Sequence, residues 1–341
     1  MMFCSLLPKA VVLLLIIRAV RTLVTGEDFS KYCKIRNCPA NKTHIACNTT
    51  NSWSLKCGQN PEIMPLPENV QKIILYIHNI YRDAVASGLI FRLPPAGRML
   101  KLKWCPKLAE MAELMIKRCD LQAPKECHST YEFENPSYHA IYNKFKKNQH
   151  TLQVLKSQLN TWYNEYKYVN LVSLVDGSSV DNKEIGHFLR MMVGPSNRVG
   201  CAMAREHRDG WTYQWLACLY SCPPRNQILL YEHAARPGDY CLTGTDSKFR
   251  NLCHESEPEH YCKLYPEKFT HLVDNSTAIY LKRMLHGIMP RTGGVWCRIC
   301  GLCCEWVQWG VTTGDLVDKT ATLLLGPEFS LDKLIKLPFL G

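Results

Sequence analysis

No second stretch of this 341-residue chain approaches the roughly twenty apolar residues that a membrane-spanning helix needs, and the longest run, AVVLLLII at 10–17, is itself too short. Stable membrane insertion is therefore not expected. Dense basic clusters are missing as well. Lys and Arg outnumber Asp and Glu by 41 to 30, a formal net charge of +11, yet the densest basic stretch is only KFKK at 144–147. A nucleic-acid footprint needs a clustered basic stripe with interleaved aromatics. Nucleic acid is thus excluded as a partner, and the charge reads as solubility with some attraction to acidic surfaces. The chain also has no internal repeat and no low-complexity tract. With 46% hydrophobic and 21% charged residues it lies outside the disordered class. Its length suits one sizeable domain with extensions, or two modest domains.

What the chain has in excess is cysteine, 18 in all. The N-terminus accounts for them. Lys9 precedes the apolar run from Ala10 to Ile17, and small or polar residues follow near Thr25 and Gly26, the pattern of a secretory signal peptide. Residues 1–26 are assigned to it, although Arg18 and Arg21 blur the cleavage point. Secretion places the cysteines in an oxidising compartment, where they pair. Three sequons, at Asn41, Asn48 and Asn275, fit the same route. Removal of Cys4 with the signal leaves 17 thiols, an odd number, so one is free or pairs between chains.

Residues 27–62 carry Cys33, Cys38, Cys47 and Cys57 with little apolar periodicity, and such a segment needs staples to a larger body. The main domain is expected over 63–235. Val70, Ile73, Ile74, Ile77, Tyr81, Ala84 and Val85 recur at helical spacing, predicting a helix from Pro67 that ends at Gly88. A second helix opens at Pro106 with Leu108, Met111, Ala112 and Met115 inward. A third is predicted over 151–166, with Leu152, Leu155, Leu159 and Trp162 on one side. Strands are predicted over 186–193, 198–206 and 211–221, the last two joined at Asp209-Gly210, a tight-hairpin pair. Helices followed by an antiparallel meander indicate an α+β layered domain rather than a doubly wound parallel sheet. Residues 236–341 form a cysteine-containing C-terminal extension, with a helix expected around 276–287.

The order of motifs resembles the insect antigen-five group of the cysteine-rich secretory protein, antigen-five and pathogenesis-related (CAP, SCP-like) superfamily. The resemblance is carried by YCKIRNC from Tyr32, HIAC from His44, HNIYR from His78, the stretch from Arg98 to Trp104 and CHSTYEF from Cys127. It continues through WYNE from Trp162, GHF from Gly186, VGCAMA from Val199 and LACLYS from Leu216, and it spans about 32–253. It implies a three-layer α-β-α sandwich around a three-stranded antiparallel sheet. It also implies the pairs Cys33–Cys47, Cys38–Cys127, Cys57–Cys119 and Cys201–Cys218, with Cys241–Cys253 as a fifth. Cys105, Cys222, Cys262, Cys297, Cys300, Cys303 and Cys304 are left unassigned.

The superfamily carries a cleft with two His and two acidic residues whose imidazoles can hold a divalent metal. Glu165 and His187 match two of the four. Where the others belong, this chain has Ala123-Pro124 and Ser137-Tyr138-His139 instead. His128, His139 or Tyr138 could slip into the vacancy. Catalytic zinc takes three protein ligands, so the reading is a residual Glu165–His187 pair ordering the cleft floor, with no cofactor and no metal. His78 reads as a structural histidine bonded to a neighbouring loop. The zincin-like HESEPEH from His254 is rejected, because its histidines are six apart and Pro258 interrupts the helix. The cluster from Cys297 to Cys304 reads as disulfides, with Trp296, Trp306 and Trp309 as its small core.

The functional expectation is a secreted, non-catalytic binding protein whose partner is an extracellular protein or a small apolar ligand such as a lipid. The lipid would lie in a groove between helices. One alternative is a metal-dependent hydrolase with a repaired cleft. Another is an interaction protein acting through residues 254–341.

Overall fold

The computed structural model describes residues 29–258 and Cys262, apart from positions 48, 91, 92, 123, 148, 226 and 227. The expected signal segment, Asn48, Asn275, the helix near 276–287 and the cluster from Cys297 to Cys304 lie outside the described residues. No described helix is long and apolar enough to cross a membrane.

Helix α1 (Glu68–Ala86) buries Val70, Ile74, Ile77, Tyr81 and Val85 along one stripe. It stops before Gly88, whose φ of +72° suits a residue without Cβ. Helix α2 (Pro106–Ile116) starts on its proline, whose missing N–H is an orphan donor at that position anyway. Helix α3 (Thr151–Tyr163) is shorter than the predicted 151–166, because the chain tightens into a 3-10 turn over Asn164–Tyr168. A one-turn helix α4 (Ser173–Asp176) follows.

Residues 186–193 are a correction. They form helix α5 (Gly186–Met191), not a strand. Phe188, Leu189, Met191, Met192 and Val193 are buried around half-buried His187 and Arg190, and a run this short spans too few turns to show a helical period. The helix is secured at its start by side chains: Glu184 accepts from the Gly186 N–H and Glu165 from the Phe188 N–H.

The strands are β1 (Gln59–Met64), β2 (Ala96–Arg98), β3 (Lys103–Trp104), β4 (Ser137–Phe145), β5 (Arg198–Arg208), β6 (Trp211–Tyr220) and β7 (Glu232–His233). The main sheet has the order β1-β5-β6-β4, with β3 beside β5 in parallel. Three long antiparallel strands thus form its centre, as the resemblance implied, and two short strands extend it. Asp209 and Gly210, at φ 50° and 75°, close the β5–β6 hairpin. Neither β1 nor β4 stood out in the sequence.

The sheet is the middle of an α-β-α sandwich. On one face α1, α3 and α5 cover Cys201, Met203, Leu216, Cys218 and Tyr220. On the other, α2 and the N-terminal residues Phe29, Tyr32, Ile35 and Ala46 cover Tyr138, Ala140, Ala202, Ala204, Trp215, Ala217 and Leu219. Gly200 permits this second contact. Any Cβ there would collide with backbone atoms of Cys105, Leu108 and Ala109 at the start of α2.

HNIYR turns out to be a set of staples. The fully buried Arg82 guanidinium donates to the carbonyls of Leu100, Met191, Val193, Gly194 and Ser196. Asn79 exchanges hydrogen bonds with the backbone of Leu102. Next to them, Asp83 holds the backbone and side chain of Asn251. Residues beyond 235 stay on the domain: Tyr240 N bonds Gly97 O, Cys253 N bonds Met99 O, and Arg98 pairs with Glu257 at 2.9 Å.

Among the described residues, six disulfides join Cys33–Cys47, Cys38–Cys127, Cys57–Cys119, Cys201–Cys218, Cys222–Cys262 and Cys241–Cys253. Cys38–Cys127 and Cys57–Cys119 anchor the N-terminal segment around α2. Cys222–Cys262 is a pair that the sequence left open. Cys105 is buried and has no disulfide partner among the described residues.

Candidate cleft between strand four and helix five

The cleft is assembled from four elements. β6 supplies Tyr220, β4 His139, the turn after α3 Glu165, and α5 His187; Trp162 from the end of α3 packs beneath. His187 Nδ1 donates to Glu165 Oε1 at 2.6 Å, and Phe188 N donates to Glu165 Oε2 at 2.9 Å. Both carboxylate oxygens therefore have donors. The His139 ring stacks on the Trp162 indole at 3.8 Å between centroids and lies 5.4 Å from the His187 ring.

Behind His139 runs a buried relay whose proton positions follow from chemistry. The Ile74 carbonyl can only accept, so His78 Nδ1, 2.8 Å away, carries a hydrogen. Burial pulls the His78 pKa down to about 4, with the nearby Arg82 charge also lowering it against the Ile74 hydrogen bond. The ring is neutral at pH 7 and its Nε2 accepts from the Tyr220 hydroxyl at 2.7 Å. Having donated its one proton, Tyr220 Oη accepts from His139 Nε2 at 3.0 Å. Burial first, then the neighbouring His187, Arg190 and His78, hold His139 well below the ordinary histidine value. Neutral His139 with hydrogen on Nε2 keeps a lone pair on Nδ1, and that buried nitrogen has no partner among the described residues.

Strand alternation sorts the three cleft substitutes expected from the sequence. His139 enters the cleft. Tyr138 does not: it points to the opposite face and donates to Asp120 O at 3.3 Å. His128 is also elsewhere, held at 3.0 Å on the Pro136 carbonyl. His78 bonds its own helix and a strand tyrosine, not a loop as expected. Tyr220 and Trp162 were missed as cleft residues; the only signal was their place in LACLYS and WYNE.

A metal would find two imidazoles here and a carboxylate already engaged by two N–H groups. The described His, Cys and carboxylate groups close enough to ligate together contain disulfide sulfurs and lie outside this cleft. The donor set thus falls short of three free ligands. The interhelical groove expected for a lipid is also filled where α1 faces α3, by Tyr81 and Tyr163 stacked at 4.0 Å.

Residues 75–220 match the family described as the cysteine-rich secretory protein family, CAP. Venom allergen-1 of Aedes albopictus is 29% identical over 240 residues, covering 69% of this chain and 92% of that protein. The antigen 5 like allergen Cul n 1 of Culicoides nubeculosus is 29% identical over 189 residues, covering 54% and 85%. Among solved structures, NaASP2 with Zn2+ superimposes with a TM-score of 0.44 at 17% identity, covering 55% of this chain and 96% of that one.

Proposed function

Because residues 75–220 form a domain of the cysteine-rich secretory protein family, of the venom-allergen-like antigen-five kind, we propose that this is a secreted protein that binds rather than catalyses. The observation that carries this reading is the engagement of Glu165. One of its oxygens accepts from His187 and the other from the start of α5, so this carboxylate orients its neighbours. His139 is neutral and fully buried, which suits an ordering role. Signal-like residues before 27, paired cysteines and the exposed sequon at Asn41 support an extracellular setting. The partner is an extracellular protein or a small apolar ligand.

The test is metal analysis by mass spectrometry on protein dialysed against zinc, together with hydrolysis of ester and peptide substrates. The expected result is substoichiometric zinc, unchanged thermal stability in chelator, and no turnover that His187→Ala removes. Stoichiometric zinc with turnover lost in His187→Ala would overturn the reading. One observation favours a second reading, a divalent ion held without hydrolysis: the unpartnered His139 Nδ1 near the His187 ring. Zinc retained by the native chain, absent from His139→Phe and unaccompanied by turnover, would establish that reading instead.

A further inference from the structure

On the opposite face of the sheet from the cleft, beyond the end of α2, a cavity of about 370 Å³ opens toward solvent. Tyr142, Tyr213 and Trp215 form its aromatic wall, with Tyr142 4.8 Å from Trp215 and 5.3 Å from Tyr213 between ring centroids. Arg208 lies over Tyr213 at 5.2 Å. The wall continues past the cavity to Trp211, where Lys144 and Lys146 sit over the indole at 5.2 and 4.9 Å.

Strand alternation makes this stripe out of what reads in the sequence as scattered charge. In KFKK, Phe145 is buried, and Lys144 and Lys146 are both turned to the Trp211 side. The charges do not cancel. Asp120 is paired with Lys56 at 2.8 Å and Glu206 with Arg208 at 2.8 Å. Glu206 also accepts from the Trp215 indole. Lys144 and Lys146 have no carboxylate partner among the described residues.

We propose that this face binds a sulfated polysaccharide. The exposed Tyr142 ring and the half-buried Tyr213 and Trp211 rings, seated on buried Trp215, offer aromatic surface to the C–H faces of sugar rings, and uncompensated ammonium groups beside them pair with sulfate esters. Tyr142, Tyr213 and Gln122 bring hydroxyl and amide groups for sugar hydroxyls. A bilayer surface fits less well, because interfacial binding needs a protruding apolar face and in this cavity wall Leu121 is the one exposed aliphatic side chain. The proposal is independent of the cleft, so the two can fail separately.

The full mature chain is applied to immobilised heparin and eluted with salt, in parallel with vesicles containing phosphatidylserine and with duplex DNA. The expected result is retention above about 0.15 M salt and weaker binding to vesicles and to DNA. Lys144→Ala/Lys146→Ala should lower heparin affinity by roughly tenfold and flatten its salt dependence. Trp211→Ala should weaken binding while leaving that slope in place. The charge-matched control Lys167→Ala/Lys183→Ala, on exposed lysines elsewhere, should elute close to the native protein. Equal loss in both double variants would reduce the effect to net charge and overturn the proposal. Tighter capture by vesicles, or DNA binding equal to heparin, would overturn it too. Lys144→Gln/Lys146→Gln replaces the alanine variant if that one unfolds.

Discussion

The Tyr220 hydroxyl lies 2.7 Å from His78 Nε2, so a strand and a helix on one side of the sheet share a proton deep in the core. The same oxygen accepts from His139 at 3.0 Å. One hydroxyl thus links two buried imidazoles, donating to His78 and setting the tautomer of His139, which lines the cleft.

Tyr220→Phe keeps the ring and removes that oxygen. The lost partner leaves His78 and His139 each with a buried nitrogen unsatisfied, which costs about 1–3 kcal/mol for such a group. Urea unfolding at pH 7 should show a lower midpoint with an unchanged slope. An unchanged midpoint would mean that the relay contributes nothing to stability.

Acid should weaken the fold well above the carboxylate range. His78 has a folded pKa of about 4 against an ordinary 6.5, so between those values the unfolded chain binds a proton that the folded one refuses. Stability is complete above about pH 6.5 and falls as pH drops toward 4, by roughly 3 kcal/mol for this group alone. His139, His44 and His128, all lowered by burial, act in the same direction. Asp83, raised by burial, opposes the trend only nearer the carboxylate range. Urea midpoints measured from pH 7.5 to 5 should therefore decline. A flat profile across that window would contradict the burial of these rings.

Cys105 precedes the first turn of α2, where backbone N–H groups ordinarily favour a thiolate. Burial outweighs them and pushes this thiol up. Iodoacetamide at pH 8 should leave Cys105 unmodified in the native protein and label it after denaturation, as read by peptide mapping. Native labelling at the rate of an exposed thiol would show that α2 does not cover it.

Much of this scaffold was decided by the sequence alone. Three-and-four spacing from Val70 to Val85, the proline that opens α2 and the Asp209-Gly210 turn are local devices whose outcome depends on few neighbours. The resemblance likewise supplied the sandwich. Residues 186–193 were different, since so short a run spans too few turns to show a period; in the structure Glu165 and Glu184 hold the first N–H groups of a helix there. Only the tertiary structure decided which histidine reaches the cleft and which charges share a face. A strand alternates its side chains, so pairing β4 with β6 at Ser137↔Tyr220 sends His139 toward His187, Tyr138 toward Asp120, and Lys144 with Lys146 toward Trp211. A shift of one residue would exchange every one of those partners, and nothing local in SYHAIYNKF distinguishes the two registers.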